Sequence, residues 1–85
     1  MPVISRFFGI IIYMYWRDHA PPHFHAKYAG EEVEIEIESG KVLGSMNRRA
    51  LKMIQEWSEA NKAELLSDWK LAAEQKELKE IKPLE

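Results

Sequence analysis

Polar and apolar residues alternate without a fault from Glu32 to Glu38, with Val33, Ile35 and Ile37 on one side and Glu32, Glu34, Glu36 and Glu38 on the other. A period of two is the signature of a half-buried β-strand. Upstream, residues 8–17 are apolar, β-branched and aromatic almost throughout, and turn-forming residues follow, which predicts a strand. Two prolines make Asp18-His19-Ala20-Pro21-Pro22 a loop. A strand is expected over 23–28, ended by Ala29-Gly30, and a short one over 41–44, after Ser39-Gly40. From residue 47 the period changes. Ala50, Leu51, Ile54 and Trp57, then Leu65, Leu66, Trp69, Ala72 and Ala73, recur at helical spacing, predicting helices over 47–60 and 62–76. Asn47 is the expected cap of the first helix, and Asn61 with Glu64 a variant capping box for the second.

Register follows if Ala29-Gly30 is a two-residue hairpin loop. Lys27 then faces Glu32, Ala26 faces Val33, His25 faces Glu34, Phe24 faces Ile35 and His23 faces Glu36. Apolar meets apolar, and each cation or imidazole meets a carboxylate; a slip by one residue destroys both patterns. Carried back across the proline loop, the alternation sets Ile12, Met14 and Trp16 on the core face and Tyr13, Tyr15 and Arg17 on the outer face with His23, His25 and Lys27. The expected architecture is α+β: a four-stranded antiparallel meander followed by two α-helices packed on one sheet face. Residues 1–85 form a single domain, with an ordered core over about 3–76 and a charged tail over 77–85 that frays.

Composition narrows the chemistry. With no cysteine among 85 residues, disulfides, thiolate catalysis and cysteine-rich zinc sites are excluded, and a reducing cytoplasm is the natural home. A formal net charge of −2 argues against a generic basic nucleic-acid binder. The longest apolar run, Phe7 to Trp16, is too short to span a bilayer and reads better as a buried strand than as a signal peptide.

All three histidines, His19, His23 and His25, fall within one short string. His23 and His25 are two apart on a strand, so they point the same way with Cα atoms about 6.5–7 Å apart. Three uses compete. His19, His23 and His25 could ligate a divalent metal such as zinc, with Asp18, Glu34 or Glu36 as a fourth ligand or outer-shell partner. Alternatively, no cofactor is needed and His23 and His25 form an acid–base pair for phosphodiester chemistry, with Tyr15, Arg17 and Lys27 contacting the phosphate or its base. The third use is structural: ordinary cross-strand pairs with Glu36 and Glu34, each worth about 0.2–1 kcal/mol. Arg48 and Arg49 add an anomaly, since cations in the first turn of a helix oppose its macrodipole yet make an anion receptor.

The strings MPVISRFFGIIIYMYW, DHAPPHFHAKYAGEE and MNRRALKMIQEWSEANKAELLSDW together resemble the bacterial family named domain of unknown function 4160, over Pro2 to about Trp69. Its pattern falls on His19, Pro21, Pro22, His23, Phe24 and His25, on Arg48 and Arg49, and on Trp57 and Trp69. The resemblance implies a small prokaryotic protein with a small partner protein encoded by a neighbouring gene, in an arrangement suggestive of a toxin–antitoxin pair. The leading expectation is therefore a toxin–antitoxin-system component that binds or cleaves RNA or another phosphate-bearing ligand through the histidine-rich sheet face. The alternative is a non-enzymatic binding module with a histidine-ligated metal. No membrane is expected as a partner, and the oligomeric state is left open.

Overall fold

The computed structural model describes residues 2–85. The chain runs β1 (Val3–Phe7), β2 (Ile10–Tyr13), β3 (His23–Tyr28), β4 (Glu31–Glu36), β5 (Val42–Gly44), α1 (Arg48–Ala60) and α2 (Lys62–Ala73). The strands form one antiparallel sheet in sequential order. This is the expected α+β architecture with one strand more. The run expected as a single strand over 8–17 is broken at Phe8-Gly9, where φ values of 49° and 81° turn the chain back so that Phe7 pairs with Ile10. Positive φ at both loop residues is the type I′ hairpin geometry, which matches the twist of the flanking strands. Ala29-Gly30 does the same with φ of 49° and 83°.

The register between β3 and β4 is the one the alternation demands, from His23 opposite Glu36 to Tyr28 opposite Glu31. One sheet face supplies Ile12, Phe24, Ala26, Val33 and Ile35 to a core completed by Ala50, Ile54, Trp57 and Leu65 from the helices. Trp57 sits against Phe7 and Phe24 at 5.4 and 5.8 Å between ring centroids. Asn47 caps α1, its Oδ1 accepting from the Ala50 amide. Asn61 works differently from the expected capping box: its Nδ2 donates to Trp57 O and so closes the end of α1.

Two expectations about the periphery are corrected. Trp16 is 46% exposed and off the core face, because the chain leaves the sheet after Tyr13. The tail after Gln75 does not fray. Ile81 is buried, its amide donates to Ile4 O at 2.8 Å, and its carbonyl accepts from Ser5 Oγ at 3.0 Å. Trp57 Nε1 donates to Lys82 O, and the Lys79 amide to Asp68 Oδ1. Leu78, Ile81 and Leu84, spaced three apart among charges, give this strap an apolar edge that covers the otherwise open rim of β1.

Candidate functional site

The loop between β2 and β3 returns the chain to the sheet at His23, and four backbone contacts hold it. The Met14 amide donates to Pro2 O, the Arg17 amide to Ala72 O and the Ile37 amide to Pro22 O, while the His19 amide donates to Asp18 Oδ1. Within the loop the Ala20–Pro21 peptide is cis. This frame turns the Asp18 carboxylate, largely shielded from water, toward the outer face of the sheet.

There all three imidazoles meet one carboxylate. His23 Nε2 lies 2.9 Å and His25 Nε2 3.1 Å from the same oxygen, Asp18 Oδ2. His19 Nδ1 lies 2.9 Å from the other oxygen, Oδ1. The rings of His23 and His25 stand edge to face at 5.0 Å, as side chains two apart on a strand must. Burial alone would raise the Asp18 pKa. The His25 hydrogen bond, the His19 amide and the charge and hydrogen bond of His23 outweigh it and hold the carboxyl below its ordinary value.

His23 is only 3% exposed, and its two ring nitrogens face two acceptors. Nδ1 lies 2.8 Å from Pro21 O, a carbonyl that can only accept, so Nδ1 carries a proton. Nε2 then faces an ionised carboxylate that also only accepts. That contact requires either a second proton at Nε2 or a cation taking its lone pair. A backbone carbonyl on one ring nitrogen is the usual way a protein orients the other toward a metal. The ligand atoms of Asp18, His23 and His25 all lie within 4.8 Å of one another, and those of His19, His23 and Glu34 form an overlapping group.

The surroundings are aromatic and acidic. Tyr13 stacks on His25 at 5.2 Å, and half-exposed Tyr15 meets it edge-on at 4.8 Å. Tyr13 is buried on this outer face and donates to Glu32; burial first, and then that carboxylate, pushes its pKa up. His23 packs against Trp69 at 5.1 Å, so the helix face bearing Trp69 is a wall of the site as well as core. The expectation that His23 lies on the face away from the helices is thereby corrected: it pairs with Glu36 as the register requires, but its ring is buried against Trp69 of α2. Two shallow concavities flank the imidazoles, one bordered by His19, His23 and Glu36, the other by His25 and Glu32; Glu34 and Leu43 border both.

The expected phosphate contacts are dispersed. Tyr15 touches His25, and Arg17 precedes Asp18 in the chain, exposed and with φ of 57°. Lys27 is engaged by Glu32 at 3.9 Å and by the face of Tyr13. Arg48 and Arg49 open α1 beside Glu31, whose carboxylate accepts from the Asn47 amide. Along β4, Glu31 lies roughly 16 Å from Glu36, the partner of His23, and roughly 10 Å from Glu34, the partner of His25, so α1 starts toward the other end of the strand from His23. The hub itself, Asp18, was visible in sequence only as one of three carboxylates near the histidines.

A family model described as a domain of unknown function, DUF4160, matches residues 9–70, most of the chain. The protein belongs to this family. No curated protein and no solved structure matches it significantly. The DUF4160 match takes in the Asp18 loop, β3 and most of α2, and leaves out β1 and the C-terminal strap. No helix in residues 2–85 is long and apolar enough to cross a membrane.

Proposed function

We propose that this DUF4160 protein binds a divalent transition metal through His23 Nε2, His25 Nε2 and Asp18. The observation that carries this reading is the convergence of two imidazole Nε2 atoms on one carboxylate oxygen, at 2.9 and 3.1 Å. Ligand bonds of about 2.1 Å leave neighbouring donor atoms about 3.0 Å apart in octahedral and about 3.4 Å apart in tetrahedral geometry, both within reach of small side-chain shifts from these distances. Two histidines and one carboxylate are a donor set suited to zinc, iron or manganese, with further coordination positions left for a fourth ligand or a substrate. His19 and Glu34 flank the solvent side and are the protein groups that could fill one of them.

The same geometry favours the metal over the metal-free acid–base pair. A base and an acid acting on one phosphodiester need free nitrogens aimed at the substrate. Here both Nε2 atoms are engaged by Asp18, and His23 is buried. The outer face also carries Glu32, Glu34 and Glu36, with Lys27 already engaged, so a phosphate would be held by the bound metal. On this reading the protein is a cytoplasmic component of a toxin–antitoxin-type pair, and RNA or another phosphate-bearing ligand approaches the metal past Tyr15.

The test uses protein purified without a histidine tag and stripped with a chelator. Titration with Zn²⁺ or Co²⁺ by calorimetry and absorption is expected to reach saturation at about one ion per chain, with proton release as the imidazoles bind. Asp18→Ala should abolish it. Wild-type binding no tighter than that of Asp18→Ala overturns the proposal. Expression in bacteria with and without the neighbouring gene, scored by growth, tests the toxin–antitoxin assignment separately.

A further inference from the structure

We infer that the C-terminal strap shapes the metal site by clamping the Asp18 loop, with Trp16 as the positioning residue; the inference rests on the metal reading above. Trp16 is 46% exposed, yet its indole is fixed: Nε1–H donates to Lys76 O at 3.2 Å. One residue on, the Arg17 amide donates to Ala72 O at 3.2 Å. The next residue is Asp18. Two adjacent residues of the loop are thus fastened to the end of α2 and the start of the strap, immediately before the carboxylate that all three imidazoles share.

The far side of the clamp is itself anchored. The Lys76 amide donates to Leu71 O at 2.9 Å, which holds the Lys76 carbonyl against the helix end. Beyond it the strap is pinned by Lys79 to Asp68, by Ile81 to Ile4 and Ser5, and by Lys82 to Trp57. Trp69, on the same helix, rests on His23. Helix α2 and the strap that continues it therefore touch both sides of the Asp18–His23 contact, the carboxylate through Trp16 and Arg17 and the imidazole through Trp69. Releasing the strap frees the Lys76 carbonyl and with it the indole. The loop then loses one of the fastenings that aim Asp18, while the β2–β3–β4 ladder that aims His23 and His25 is untouched.

The strap and strand β1 lie outside the family match and pack on each other, whereas Trp16 and Arg17 lie within it. The substitution that tests the clamp is Trp16→Phe, which keeps an aromatic ring at this exposed position and removes the indole N–H together with the second ring. A chain ending at Gln75 removes the whole strap.

Two readouts are taken for each variant and for the full chain: Co²⁺ affinity by absorption titration, and the imidazole nitrogen signals of His23 and His25 by NMR in metal-free protein. Trp16→Phe is expected to weaken Co²⁺ binding about tenfold, the lower end of what losing a group bonded directly to a ligand costs, because Trp16 acts through the loop and not on Asp18 itself, and to shift both imidazole signals. The shortened chain should do the same while folded by circular dichroism; if it unfolds, Trp16→Phe alone decides. Unchanged affinity and unchanged signals in Trp16→Phe overturn the clamp and leave the metal site standing. A full chain that binds no Co²⁺, with signals that still shift in Trp16→Phe, overturns the metal site and leaves the clamp standing.

Discussion

Asp18 shows how one side chain acquires several partners when its surroundings contain only complementary groups. Its shielded carboxylate faces imidazoles and a backbone amide, and they hold it ionised against the cost of burial. His23 is the counterpart, with an acceptor facing each ring nitrogen and nearly inaccessible. His23→Gln should therefore cost about 1–3 kcal/mol of stability, since it leaves a buried partner unpaired, whereas His25→Gln should cost less. Denaturant midpoints of the two variants measure the difference, and equal midpoints would refute it. Asp68 is the opposite case. It is buried, Oδ1 accepts from the Lys79 amide, and Oδ2 has no partner among residues 2–85. Burial raises its pKa, against the opposing Lys79 amide and charge. A carboxyl raised in the folded state adds stability that is complete below its unfolded pKa, about 3.9, and is lost as pH rises through the folded value. Asp68→Asn should hence be more stable than the natural chain at pH 7 and no more stable at pH 3. Unfolding curves at both values check the sign.

Among the elements, the hairpins and the strap separate what is local from what is not. Phe8 occupies a left-handed position with its ring 60% exposed, a conformation costing an L-residue about 1–2 kcal/mol. Phe8→Gly or Phe8→Asn, residues that this turn prefers, should raise stability by about 0.5–1 kcal/mol. A fall in the thermal midpoint would count against the turn assignment. Ile81→Ala should lower stability by about 2–4 kcal/mol, the cost of a truncated core side chain, although it lies in a segment that composition alone marks as solvated. The strap was illegible in sequence because its apolar residues are few and diluted by charge, and their value appears only against the rim of β1. The β3–β4 register was legible to the residue, because a slip would have set each carboxylate against the core. The hairpin at Phe8-Gly9 was missed because apolar residues continue through it without a polar break.

For the molecule as a whole, ligand and fold are linked. A metal that binds only the folded chain stabilises it by about 2.7 kcal/mol at one hundred times its dissociation constant. In a domain of 85 residues each kcal/mol moves the thermal midpoint by about 4–8 °C. A thermal scan with Zn²⁺ should therefore rise by ten degrees or more, and the rise should vanish in Asp18→Ala. A shift of equal size in that variant would locate the metal elsewhere.

The linear pattern alone determined the α+β class, the two helices, the β3–β4 register and the shared face of His23 and His25. Each of these depends on periods of 2 or 3.6 residues that any backbone must obey. Tertiary structure decided that one loop carboxylate serves three histidines, that Trp69 walls the site, and that Arg48 and Arg49 start α1 next to a cap bonded to Glu31. It also decided that the charged tail closes the fold. Those outcomes depend on where a loop and a terminal strap come to rest on surfaces made by distant residues, and no periodicity in the chain encodes that distance.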